Sequence, residues 1–433
     1  MNMKKKNMKA RIARRAAGFT LVEIMIGLLI GLIGIVVIME TFAVSEGYRR
    51  TTTSGTDAQV NGAIAMYLME RELRIAGYNL QPYIVSGCTS VVVWYENLGK
   101  SRLVRFVPVE INPAGIPAGD VNTDVILISY GNADTSVSGI VANQKNTTTD
   151  PFDIKVNYTS FRNGDLLFSM QPSAVAGGAP SCVLHELTNV PNASGNCGQT
   201  QPPTPQLAHD SAQYKNFSNG CQVAQANHNA AGGIKDQNGV PVPRVDSASG
   251  GQVYSMGPTP SAKIYAIRSG NLTVCETFSK DCTDPNNYDV LVNDIVSMRA
   301  ILGGDYVGGT SSGAGLLGDG SIDQWSRNAF NNSGDVRRTI AIAFELTARS
   351  GLLEKSSTGS PDPANCDATK ASNLPDAGQT ADWYASYVSM AAGSLVGAKI
   401  DLSQSDPQGH WNCYRYKMFQ SVVPLRNLLW TPG

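Results

Sequence analysis

An apolar run near the start of the chain dominates its hydrophobic pattern. Residues 24–39 carry no polar side chain, and the run extends back to Phe19 with only Thr20 and Glu23 interrupting it. At a rise of ~1.5 Å per residue, a helix over 19–43 is long enough to cross a hydrocarbon core about 30 Å thick. The pattern therefore predicts one membrane-spanning helix.

A second helical pattern follows the apolar run. Over residues 57–76 apolar side chains recur at helical spacing, and Gly77 is placed to end the helix. We expect an N-terminal helix over 19–77 whose second part packs on a sheet. The side chains expected on the packed face are Val60, Ile64, Tyr67, Leu68 and Ile75.

The remaining residues, 78–433, show the pattern of short strands bounded by turn residues. Two of these strands flank Ser-Gly-Asn and predict a hairpin. A long helix followed by a run of strands predicts an α+β fold with an antiparallel sheet. The expected strands are 91–95, 103–111, 125–130, 153–158, 166–170, 263–267, 272–278, 290–298, 336–346 and 416–423.

Residues 172–260 break this pattern. They are rich in Gly, Pro, Asn, Gln and Ala and contain few apolar runs. Loops of this length are uncommon inside a compact domain and are usually functional or irregular. We expect a loop-rich insertion tied by disulfides, or long surface loops, and not an independent enzyme domain.

Charge is distributed unevenly along the chain. Residues 1–18 hold seven of the 34 Lys and Arg residues and no acid. A basic flank ahead of an apolar run keeps the N-terminus in the cytoplasm, so the rest of the chain is exported. The part after residue 18 contains 35 Asp and Glu residues, an excess of about eight acids over Lys and Arg. This net negative charge is not that of a nucleic-acid-binding protein.

All eight cysteines follow the apolar run, so they would lie in an oxidising compartment and could form four disulfides. Sequence alone allows about 105 connectivities. Zinc is the alternative for clustered cysteines, but the chain has no C-x-x-C and no paired histidine spacing. The expected pairs are Cys275 with Cys282, Cys182 with Cys197, Cys366 with Cys413 and, by elimination, Cys88 with Cys221.

The acid inside the apolar run requires a reason. A carboxylate there costs roughly 3 kcal/mol on insertion scales and needs a partner or a function. Residues 18–23, GFTLVE, resemble the prepilin peptidase site of type IV pilins and pseudopilins. The resemblance implies that the leader 1–18 is removed between Gly18 and Phe19, that Phe19 is N-methylated, and that Glu23 acts in assembly.

A physical role for Glu23 can also be argued without the family resemblance. Cleavage would create a protonated amine on Phe19 in apolar surroundings, and a carboxylate from a neighbouring subunit would neutralise it. An unpaired charge would penalise a misplaced subunit by several kcal/mol. We therefore hypothesise that the amine and the carboxylate set the register between subunits.

A second resemblance lies in the C-terminal part. Residues 291–305, 318–325, 335–350 and 414–430 resemble PilW-type minor pilins, and 63–78 is shared with that group. The resemblance implies a single-pass inner-membrane precursor with a periplasmic domain. Its partners would be prepilin peptidase, the inner-membrane assembly machinery, other minor pilins, the major pilin and a tip adhesin, in a complex that initiates the pilus and sits at its tip.

Two alternatives remain open. A minor pseudopilin of type II secretion, similar to GspJ, would have the same architecture. A membrane-anchored periplasmic enzyme or binding protein would keep its N-terminus.

Few residues point to chemistry. The G-x-S-x-G match at 309–313 lies in a Gly-Ser run without the strand and helix of a nucleophile elbow. Asp319 and Asp323 lie on a glycine turn and could share a calcium ion, although the leading acids of a calcium loop are missing. We expect no catalytic residue, no cofactor and no nucleic-acid partner.

Overall fold

In a computed structural model, the chain comprises two compact units, Met1–Thr53 and Ser54–Gly433. The described residues are 19–80, 87–133, 139–154, 161–192, 194–200, 206–305, 320–326, 336, 338–353, 381–382, 399–400, 402, 406 and 409–429.

The first unit holds the beginning of helix α1 (Leu21–Ile75). Its segment Leu21–Glu46 is long and apolar enough to cross a membrane. Every large apolar side chain between Phe19 and Val44 is at least 50% exposed. An exposed surface of this kind requires an apolar environment or partner helices, which confirms the predicted apolar N-terminal helix.

The second unit holds the end of α1, a short helix α2 (Arg426–Leu429) and the strands. In chain order the strands are β1 (Ser90–Tyr95), β2 (Lys100–Arg105), β3 (Val109–Ile111), β4 (Ile126–Tyr130), β5 (Ile140–Asn143), β6 (Phe152–Ile154), β7 (Leu166–Gln171), β8 (Ser181–Glu186), β9 (Gln206–Leu207), β10 (Gln213–Asn216), β11 (Gln222–Gln225), β12 (Gln252–Gly257), β13 (Ser261–Arg268), β14 (Asn271–Glu276), β15 (Asp289–Val292), β16 (Ile295–Gly304), β17 (Gln324–Ser326), β18 (Thr339–Arg349), β19 (Ala381–Asp382), β20 (Lys399–Ile400) and β21 (Tyr416–Pro424).

These strands form three larger sheets. The order is β2-β1-β8-β7-β12-β5-β6-β9 in the first, β15-β14-β13-β4-β3 in the second and β17-β16-β18-β21 in the third. The pairs β10-β11 and β19-β20 are separate. All pairings are antiparallel except β1 with β8, which is parallel. The predicted α+β fold, a helix packed on antiparallel sheets, is confirmed.

Two expected strands are each split. The strand expected over 103–111 is interrupted at Pro108, because proline has no N–H to donate to a neighbouring strand. The strand expected over 290–298 breaks at Asp294, whose φ of 58° is left-handed. The predicted hairpin β13-β14 is present around Ser269 and Gly270.

The packed face of α1 differs from the expected one. Val60, Ile64, Tyr67 and Ile75 are 39–65% exposed, so the expectation that they face the core was wrong. Small side chains let the helix axis approach the sheet, and Gly62 lies so close to Phe419 that a side chain there would overlap its ring. The buried apolar side chains of this helix segment are Ala58, Ala65, Met69 and Leu73, and Ala76, directly after the helix, is buried too.

Two disulfides differ from the expected pairs. The structure joins Cys88 to Cys182 and Cys197 to Cys221, so the pairs Cys182–Cys197 and Cys88–Cys221 were wrong. The reason is the sheet order: β1 lies beside β8, which brings Cys88 next to a cysteine 94 residues away in sequence. Proximity along the chain was a poor guide to proximity in the fold.

The other cysteines agree with the expectation as far as they are described. Cys275 and Cys282 form the expected disulfide across the end of β14. Cys413 is disulfide-bonded. Cys366 lies outside the described residues, so its pairing with Cys413 stays a prediction.

The range 172–260 contains more regular structure than expected. It has long irregular stretches, but it also supplies β8 and β12, which lie inside the eight-stranded sheet. Both strands are largely buried. The expectation of surface loops was therefore wrong for these two segments, because their short apolar runs are masked by the polar composition around them.

Candidate functional site

The side chains of Thr20 and Glu23 cap the N-terminus of α1. Glu23 Oε2 accepts hydrogen bonds from the Thr20 backbone N–H at 3.2 Å and from Thr20 Oγ1 at 3.3 Å. In return, the Glu23 backbone N–H donates to Thr20 Oγ1 at 3.3 Å. This reciprocal arrangement is a capping box, which satisfies N–H groups that the first helical turn leaves without partners.

The capping box fixes where the carboxylate points. Glu23 lies in the first turn, where the helix dipole favours a negative charge. Its oxygen is held beside the backbone of Thr20, the residue that follows Phe19. Phe19 itself is 83% exposed, and Gly18 lies outside the described residues. The candidate site is thus one carboxylate in the first turn of an exposed apolar helix.

The capping role of Thr20 is missing from the expectations drawn from the sequence. The signal was available, since Thr followed three residues later by Glu is a capping-box pattern. Glu23 therefore has a hydrogen-bond partner within its own chain.

The four C-terminal segments that the sequence suggested to be similar to minor pilins come together in the third sheet. Residues 291–305 supply β16, 318–325 begin β17, 335–350 supply β18, and 414–430 supply β21 and α2. Helix α1 contacts this sheet, and Glu70 Oε1 accepts a 2.5 Å hydrogen bond from the hydroxyl of Ser421.

A partly buried ion pair ties α1 to the second sheet. Lys263 Nζ lies 3.1 Å from both carboxylate oxygens of Glu72, and the hydroxyl of Tyr130 donates to Glu72 at 2.9 Å. Burial lowers the pKa of Lys263, but Glu72 and Tyr130 outweigh it and the net pKa is raised. Lys263 therefore keeps its charge, and its contact with Glu72 fixes this part of the helix on the sheet.

The calcium candidate is only partly described. Asp319 lies outside the described residues, as do residues 309–313 of the G-x-S-x-G match. The backbone N–H of Asp323 donates to Gly304 at 3.0 Å, and Gly320 donates to Asp305 at 2.8 Å. Among the described residues, no group of three or more His, Cys, Asp or Glu side chains is placed to hold a metal ion.

Two histidines that are distant in sequence meet in the fold. The rings of His185 and His209 lie 4.7 Å apart, both against Phe152, at a cavity of about 320 Å³. Burial lowers the pKa of both imidazoles. The sequence has no paired histidine spacing and gives no sign of this contact, because only the fold brings β8 and the segment after β9 together.

His185 also contacts a hydroxyl. Its Nε2 lies 3.0 Å from Ser169 Oγ, which resembles the first half of a nucleophile-base pair. Ser169 is 3% exposed, and His185 Nδ1 has no hydrogen-bond partner among the described residues. A substrate could not reach this serine, so the pair is a core contact.

Comparison with known proteins matches one short region. Residues 13–39 fit the family model described as the prokaryotic N-terminal methylation motif. This region contains the basic leader's end, Phe19, Glu23 and most of the apolar run. No curated protein and no solved structure matches the chain. The chain thus carries a prepilin-like N-terminus of the kind found in type IV pilins and pseudopilins.

Proposed function

We propose that this chain is a minor pilin of the PilW type, which prepilin peptidase cleaves between Gly18 and Phe19 and which helps to initiate a type IV pilus. The observation that carries the proposal is a carboxylate, Glu23, held at the start of an exposed apolar helix, within the segment that matches the N-terminal methylation motif. The resemblance of the third sheet's segments to PilW-type proteins supports the more specific assignment.

The proposed mechanism is charge pairing in a low-dielectric environment. Cleavage leaves an ammonium group on Phe19, and the capping box holds the carboxylate of Glu23, four residues farther along the chain, beside the backbone of Thr20. When two subunits lie side by side, the carboxylate of one neutralises the amine of the other. A subunit displaced along the axis would bury both charges unpaired, at a cost of several kcal/mol.

The proposal places the chain in the inner membrane as a single-pass protein before assembly, with residues 78–433 in the periplasm. Its partners are prepilin peptidase, the inner-membrane assembly machinery, other minor pilins, the major pilin and a tip adhesin. Its role is structural and includes no catalysed reaction.

The first test is the mature N-terminus. Mass spectrometry of protein purified from its native membrane should identify N-methylated Phe19 as the first residue. A chain that keeps Met1, or one that starts after Ala43 as a cleaved secretory protein would, contradicts the proposal. The same preparation reports whether pilins or type II pseudopilins co-purify, which decides between the two assemblies.

The second test separates pairing from capping. Glu23→Gln should be exported and cleaved but reduced at least tenfold in sheared filaments. Glu40→Gln removes a carboxylate farther along the same helix and should be incorporated normally. Thr20→Ala removes the hydroxyl of the capping box but keeps the Glu23 carboxylate, so it should also be incorporated. If Thr20→Ala fails as badly as Glu23→Gln, the glutamate acts through the cap and the intersubunit pairing is refuted.

A further inference from the structure

Strand β2 is an open edge of the eight-stranded sheet. Only β1 pairs with it among the described residues. The backbone N–H of Phe106 donates to Thr89, which continues the β1-β2 register and identifies that pair as hydrogen-bonded. Because hydrogen-bonded and non-hydrogen-bonded pairs alternate, the main-chain groups of Ser101, Leu103 and Arg105 point away from β1.

These outward groups are available for another strand. None of the three residues makes a main-chain hydrogen bond to a described residue on its outer side. A row of free N–H and C=O groups is a template for pairing with a further extended chain. At ~3.4 Å per residue, β2 offers a template about 20 Å long.

A cavity of about 390 Å³ runs along this edge. All six consecutive residues of β2 line it. Successive side chains of a strand point to opposite faces, so a cavity that touches six in a row follows the edge and not one face. The cavity is also lined by residues 113–116 and, from the second sheet, by Leu127 and Ile264.

The cavity has the chemistry of a peptide groove. Leu103 is 50% exposed, and Ile116, Leu127 and Ile264 give it an apolar lining. Two buried polar atoms in its wall, Ser101 Oγ and Arg102 Nε, have no hydrogen-bond partner among the described residues. Buried polar groups without partners are uncommon in folded proteins, and a bound acceptor would satisfy them.

Within the described residues, two of the three cations of β2 are ion-paired, and the third is not. Arg102 is ion-paired with Asp281, and Arg105 with Glu110 at 2.8 Å. The disulfide Cys275–Cys282 closes the loop that carries Asp281. Lys100 at the end of β2 is exposed and has no carboxylate within ion-pair distance in the described part of the chain. An acidic side chain on the ligand would complement it.

We propose that β2 and this cavity bind an extended segment of another protein, which adds a strand to the sheet next to Lys100–Arg105. Alternate apolar side chains of the segment enter the cavity, and an acidic residue lies beside Lys100. The main chain supplies affinity and the cavity supplies selectivity, as in other cases of strand addition. The inference rests on the second unit alone and requires no filament.

The experiment uses the full chain in detergent micelles. A phage-displayed library of linear dodecapeptides is panned against the immobilised protein, and enriched peptides are measured by fluorescence anisotropy. We expect sequences with apolar residues at every second position and a flanking acid. If no peptide is enriched over micelles alone, the proposal is overturned. The cations of β2 would then serve only to prevent unwanted pairing at this edge.

A backbone test needs no variant of the protein. Two peptides are compared, one N-methylated at its odd-numbered amides and one at its even-numbered amides. Because only every second amide faces β2, one of the two should bind at least tenfold more weakly than the unmodified peptide, and the other should bind almost as well. If both methylated peptides bind equally well, side chains alone make the contact and strand addition is refuted.

Two variants at one position give the matched control. Leu103→Pro removes an outward N–H without removing a bond to β1 and should weaken the peptide at least tenfold, whereas Leu103→Thr keeps the N–H and should bind within about threefold. Circular dichroism and thermal melting check that both fold.

Should Leu103→Pro not fold, Lys100→Glu must weaken the binding of acidic peptides. A wild-type dimer that Leu103→Pro disperses would make a second copy the occupant and overturn the proposal.

Discussion

Glu345 provides a quantitative test of how the third sheet is packed. It lies in the centre of β18, between β16 and β21, and is fully buried. Burial raises the pKa of its carboxyl to about 8 from an ordinary value of 4.5, although hydrogen bonds from Thr347 and Ser297 oppose the shift. The folded protein therefore holds a proton on this group at neutral pH.

The sign of the effect follows from proton binding. Between pH 4.5 and 8 the folded chain keeps the proton and the unfolded chain releases it, so the folded chain binds more protons. The free energy of unfolding then falls as pH rises, by about 1.4 kcal/mol per pH unit from this group. Over the whole window the loss amounts to roughly 4 kcal/mol, and it levels off above pH 8.

Glu345→Gln replaces the titrating group with a neutral one of the same shape. We expect the variant to match the wild type near pH 4 and to exceed it by roughly 4 kcal/mol at pH 9, because the wild-type protein then carries a buried charge. The nearby Arg299 keeps Asp124 at 3.3 Å as its partner. The assay is urea unfolding of the full chain in micelles between pH 4 and 9, followed by tryptophan fluorescence.

The difference between variant and wild type isolates one carboxyl, since all other titrating groups are common to both. Glu96→Gln removes an exposed carboxylate and should change the free energy of unfolding by less than about 0.5 kcal/mol. If the gain in Glu345→Gln is the same at every pH, the carboxyl does not change its proton occupancy on unfolding and the reasoning is refuted.

Three further predictions concern the attachment of α1 and the first sheet. Glu72→Met should cost about 2–3 kcal/mol in urea unfolding because it leaves Lys263 without its partner, and adding Lys263→Met should recover most of the loss. Gly62→Ala should destabilise by about 1–3 kcal/mol through overpacking, despite the higher helix propensity of alanine, and a gain in stability would contradict the close contact. Replacing Cys88 and Cys182 together by serine should cost about 2–4 kcal/mol, and peptide mapping of the oxidised wild type should recover this pair linked.

The features that depend on neighbours along the chain could be predicted from the sequence. The apolar helix, its end near Gly77 and the hairpin β13-β14 follow from periodicity and turn chemistry, which act over a few residues. The cap between Thr20 and Glu23 also belongs here, because both partners lie in one helical turn. The role proposed for Glu23 rests on the same local evidence.

The features that depend on distant neighbours were decided only by the tertiary structure. The parallel contact of β1 with β8 selected the partner of Cys88, and the close approach at Gly62 turned small residues of α1 toward the core. The His185–His209 pair and the groove beside β2 arise in the same way. A side chain's exposure and partner depend on which strands become neighbours, and many strand orders bury similar apolar area, so the linear pattern does not choose among them.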